Sequence, residues 1–166
     1  MMDQNFKEVL AQQFGAAIAM LEHAIIACPD HVWDNDTDFW YWSYHTIFYL
    51  DYYADQDPQS FLPPSPYTLS EFNSTGTLPE RIYSKEELLV YLRLSRKKCH
   101  DLIMNFNAET AAHRFINIAR NYSMLEIVLY NLRHVQHHVG QLNLLLRQSG
   151  AEVPKWVSKV KGSDNL

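Results

Sequence analysis

The segment LRHVQHHVGQLN carries the strongest chemical signal in the sequence. On a helix, His134 and His138 stand four residues apart, about 40° apart around the axis on successive turns, so both imidazoles can reach one ion. His137 is turned about 100° from His138 and makes a poor third ligand. A single helix seldom supplies three facial ligands, so the remaining one is expected from a neighbouring element of a helical core. His45 is the best candidate. It lies within WYWSYHTIFYLDYY, among aromatic groups that would desolvate an unpaired imidazole, and a buried polar ring needs a partner. Three neutral imidazoles suit Zn, Ni, Cu or Fe and leave a coordination position for water or substrate, as catalytic sites do and closed structural sites do not. The competing reading is structural, with His45 bonded to a tyrosine or a carbonyl in the core and His134, His137 and His138 forming a solvated face.

Other chemistry is sparse. His23, His31, His100 and His113 fall at helix ends or polar positions and read as surface residues. Tyr41 and Tyr49, one turn before and after His45, either line an access path or pack at helical spacing. Cys99, in RKKCH, has basic neighbours that could lower its pKa, yet a helical cysteine is usually packing material, and the inert reading is favoured. The sequence contains no G-x-S-x-G, P-loop or H-E-x-x-H, and none of its nine glutamates is followed by histidine three residues on, which sets aside a di-iron bundle.

The elements that must position the histidines are helices. From Phe6 to about Ala27 apolar residues recur at steps of three and four, and the segment ends at Cys28-Pro29. A second helix is expected over Asp36 to Ala54, opening with acids and N-cap types and running without Gly or Pro for longer than a typical strand. Residues 55–83 hold five prolines and predict a long crossing loop. Ser84 with Glu87, and Ser123 with Glu126, form capping-box patterns that open a third helix running to about Phe106 and a fourth running to Gln148 before Ser149-Gly150. The fold class is therefore all-α, a four-helix bundle with a long crossover loop between helices two and three. The tail from Ala151, with Pro154 and Trp156, is expected to lie back on the bundle.

At 166 residues the chain predicts a single domain. A net charge of -5 offers no basic stripe for a phosphate backbone, so no nucleic-acid partner is expected. The start lacks a basic n-region and an uninterrupted apolar h-region, and the apolar stretch Gly15 to Leu21 is stopped by Glu22 and His23, so neither a secretion signal nor a membrane span is expected. A cytoplasmic protein with Cys28 and Cys99 reduced follows as the expectation.

The helix-two histidine His45, followed late in the chain by H-x-x-x-H-x-G-Q at His134 to Gln141, resembles the DinB-like superfamily, the DinB/YfiT-like metalloenzymes. The resemblance covers essentially residues 1–166, read as a single DinB-like helical-bundle domain. It implies that His45, His134 and His138 bind one divalent metal ion, Zn or Ni. It also implies metal-dependent chemistry with a low-molecular-weight thiol such as bacillithiol or mycothiol, either isomerisation or, the reading taken here, transfer of the thiol to an electrophilic small molecule. A homodimer is expected from the resemblance and from the load of ten tyrosines and four tryptophans. The alternative is a non-enzymatic stress-response or binding module whose metal site is structural or vestigial.

Overall fold

The periodic first segment forms helix α1, Gln4–Ala27, in the computed structural model, which describes residues 3–73 and 78–160. Asp3 caps it by accepting from the Asn5 N–H at 3.1 Å, and Cys28, extended as a residue before proline must be, ends it. Leu10, Phe14, Ile18, Leu21 and Ile25 form its buried stripe. By length and composition α1 is long and apolar enough to cross a membrane, which corrects the expectation that Glu22 and His23 cut it short. In the fold that apolar length packs against other helices, and Glu22 is drawn into an ion pair with Arg96 at 2.6 Å.

A single turn, α2 (Asp30–Trp33), leads to α3, Phe39–Tyr53. α3 starts three residues later than expected because Asp38 adopts a left-handed backbone, φ 54°, which breaks the helical path, and no side chain caps the first turn. Eleven of its 15 residues are buried, the mark of a helix enclosed on most sides. The described part of the connection that follows holds one 3-10 turn, Ser70–Phe72. Helix α4 (Lys85–Met104) opens with both bonds of the Ser84–Glu87 capping box in place. The short α5 (Ala108–Ala112) precedes a feature the helical periodicity did not foretell, an antiparallel hairpin of β1 (Arg114–Ile116) and β2 (Asn121–Ser123). Phe115 pairs with Tyr122 across it. Three-residue strands are too short for alternation to announce them.

Helix α6, Met124–Gln148, begins where Ser123 accepts from the Glu126 N–H at 3.2 Å. α1 packs on α4 and α6, and α3 packs on the same two helices, so the chain is mostly helical with its core between these four. The tail returns along α1 as expected. The Val160 N–H bonds the Gln12 carbonyl, and a Cβ on Gly15 would come within 2.6 Å of the Val160 side chain. Glycine at that position lets the tail approach.

Candidate metal centre

Helices α3 and α6 pack along a common seam, and the three histidines meet there. His45 comes from the middle of α3, His134 and His138 from successive turns of α6. One ring nitrogen of each lies within 4.8 Å of the others. The two α6 rings turn their Nε2 atoms toward each other at 3.1 Å, and the His45 ring centre stands 4.8 Å from His138 and 5.4 Å from His134. His45 and His134 are half-buried and His138 is buried.

Two of the rings are oriented from behind. Glu71, from the 3-10 turn, brings Oε2 to 2.7 Å of His45 Nδ1, and Gln141 brings Oε1 to 2.7 Å of His138 Nδ1. Both partners are oxygen acceptors, so each Nδ1 carries the proton and each Nε2 presents its lone pair inward, that of His138 accepting from His134 Nε2–H. This is the arrangement by which carboxylates and amides orient metal-ligating imidazoles. His134 has no such partner: its Nδ1 is buried without a hydrogen bond.

Aromatic rings close the rest of the surroundings. Trp42 stacks on His138 with centres 5.7 Å apart, and Tyr49 stands 4.8 Å from the His45 ring and 5.6 Å from His134. Tyr41 lies 6.1 Å from His45. Burial, and then the neighbouring carboxylate of Glu71, push the Tyr41 hydroxyl up to about 12, and the same two causes bring Tyr49 to about 12. Neither phenol is a base at neutral pH. Burial, followed by the proximity of the other histidines, holds His134 down to about 3, and burial with His45 alongside holds His138 to about 4. Both α6 rings therefore offer neutral nitrogen lone pairs at neutral pH.

The donor set fits a divalent ion of the borderline class. Separations of 3.1 Å between Nε2 atoms are spanned by two metal–nitrogen bonds of about 2.0–2.1 Å each. His137, as its angular offset predicts, is exposed and stands outside the cluster, facing a groove of about 520 Å³ that it shares with Tyr130, Arg133 and His134. His23, His31 and His113 are exposed, and His100 is half-buried. Cys28 and Cys99 are free and buried, and burial pushes the Cys99 thiol well up, which removes it as a nucleophile.

Sequence reasoning overlooked the orienting residues. Gln141 was legible in principle, since a residue three positions on from His138 shares its helix face. Glu71 was not, because it sits in an irregular connection 26 residues from the histidine it holds. In comparisons with known proteins, no family model matches the chain and no curated protein matches it, so its function must be read from the site itself.

Proposed function

We propose that this chain is a divalent-metal-binding protein of the DinB-like type, a four-helix bundle with a long crossover between α3 and α4. In this reading His45, His134 and His138 hold one Zn or Ni ion, and the site transfers a small thiol to an electrophilic small molecule. The observation that supports it is the convergence of three imidazoles, with the far nitrogens of His45 and His138 engaged by Glu71 and Gln141.

A bound ion of this kind supplies Lewis acidity that lowers the pKa of a coordinated thiol. The protein's own residues do the rest. Glu71 and Gln141 hold the protons on the outward nitrogens, so the inward lone pairs stay available. Trp42 and Tyr49 exclude bulk water from the rings they cover, which strengthens electrostatic interaction inside. Sulfur loses its proton to solvent and forms the new carbon–sulfur bond, while the electrophile's leaving group departs with the electron pair. The family reading also places the protein in the cytoplasm as a homodimer.

The test is elemental analysis and Zn or Ni titration, followed by thiol transfer from bacillithiol, mycothiol, glutathione and coenzyme A to a generic electrophile. Metal-loaded, chelated and His45→Ala proteins are compared. About one ion per chain and activity only in the loaded wild type are expected. Equal rates in all three would assign the protein to the non-enzymatic class.

A further inference from the structure

Sharing Tyr49 and Glu71 with the histidine cluster, a cleft of about 770 Å³ opens between α3, the 3-10 turn and the tip of the hairpin. Its volume lies in the range of small-molecule sites, roughly 300–1,000 Å³. One wall is aromatic: the rings of Tyr52 and Phe72 are centred 4.8 Å apart, and Phe61 packs on Tyr52 at 5.1 Å. Along the rim Phe72 and Ile116 are each a little over two-fifths exposed and Ile118 fully so, which gives the cleft an apolar edge.

The other end of the cleft is cationic and built. Asn117 accepts from the Ala119 and Arg120 N–H groups at 2.9 and 2.8 Å, and its own amide donates to the Tyr52 hydroxyl at 3.1 Å. These bonds tie the hairpin tip to α3 and fix Arg120 at the cleft. Its guanidinium lies 5.4 Å from the Tyr53 ring centre and 4.7 Å from that of Tyr130, and donates to the Tyr130 hydroxyl at 2.7 Å. Arg81 and Arg96 each meet a glutamate, but among the described residues no carboxylate pairs with Arg120. A half-buried guanidinium has five donors, and one of these is given to a phenol, which leaves donors for an oxyanion.

We propose that this cleft binds a small carboxylate with an apolar body, its carboxylate paired by Arg120 and its body laid along Tyr52, Phe61 and Phe72 toward the histidines. Its role as the substrate channel rests on the metal-centre reading, whereas the binding does not. Among the described residues Arg120 is the one cation in the lining of this cleft, which suits a single negative charge.

Calorimetric titration of the full chain, metal-free and metal-loaded, with 3-phenylpropionate and its neutral isostere 3-phenylpropanamide tests this. In metal-free protein the carboxylate is expected to bind at least about tenfold more tightly than the amide, as a charge-assisted pair implies. Arg120→Gln removes that ratio and Arg120→Lys restores part of it, with circular dichroism confirming the fold. Ile118→Asp, which sets a carboxylate at the rim, weakens the carboxylate severalfold more than the amide. A ratio near one in the wild type, or a ratio that survives Arg120→Gln, overturns the proposal. If metal binds while the ratio is one, this inference fails and the metal centre stands; if no metal binds but the ratio collapses in Arg120→Gln, the reverse holds.

Discussion

α3 carries two polar clusters into the helical core, and they are satisfied in opposite ways. His45 and Asp51, six residues apart, leave the helix about 120° apart around its axis and so meet different neighbours. Asp51, buried, accepts from the Tyr91 hydroxyl at 3.0 Å and from Lys98 Nζ at 2.8 Å, and Lys98 reaches on to Asp55 at 2.7 Å. Acceptor meets donor and anion meets cation throughout. Around His45 the same seam gathers three rings, two of them sharing one Nε2–Nε2 hydrogen bond at 3.1 Å, with the His134 Nδ1 buried and unbonded. The first network is complete and holds α3 to α4. The second leaves a buried polar nitrogen unsatisfied and gathers three ring nitrogens that one metal ion could accept from, which is why one cluster reads as a rivet and the other as a candidate site.

Four substitutions and one change of condition test this contrast. The largest effect is expected from His138→Ala, which removes the most buried ligand; Zn or Ni affinity, read by competition with a chromophoric chelator, should fall by more than about 100-fold, beyond the 10–100-fold range of outer partners. Wild-type affinity in that variant would reduce the cluster to core packing. Next is Asp51→Ala, which orphans the Tyr91 hydroxyl and part of the Lys98 charge. It should cost about 2 kcal/mol in denaturant unfolding while leaving metal titration unchanged. A loss of metal binding there would mean the clusters are not independent.

Glu71→Gln keeps the shape but weakens the acceptor behind His45, and should lower metal affinity by about tenfold. Acid is expected to act more gently. His134 and His138 are held to about 3 and about 4 in the folded chain, whereas unfolded histidines titrate near 6.5, so the unfolded state takes up protons first. Their contribution to stability is full above about pH 6.5 and drains as pH falls from there toward about 4. Melting of metal-free protein should show a decline across that window, flattened in His134→Gln/His138→Gln. The smallest effect is expected from His137→Ala, exposed and off the face, which should leave metal affinity within about twofold.

Much of the site was legible where chemistry and periodicity coincide. The i, i+4 spacing of His134 and His138 fixed their common face before any fold was known, and the same rule excluded His137. The Ser84 capping box placed the start of α4 correctly because both partners are local. By contrast, the start of α3 was misplaced at Asp36, since a left-handed Asp38 is a single-residue choice with no pattern around it. The hairpin at Arg114–Ser123 went unseen for the same reason of length. With it went Arg120, whose position depends on the Asn117–Tyr52 bond across 65 residues.

Residue types and short-range spacing thus determined by themselves the helical class, the four long helices and the paired imidazoles on one of them. Those properties follow from backbone hydrogen bonding and from a period of 3.6, which act within a few residues. Only the tertiary structure decided that His45 closes on that pair, that Glu71 and Gln141 set the direction of two rings, and that Arg120 lines a cleft with no carboxylate partner among the described residues. Those meetings depend on how α3 and α6 pack and on where an irregular connection returns, and packing is settled by the whole core at once.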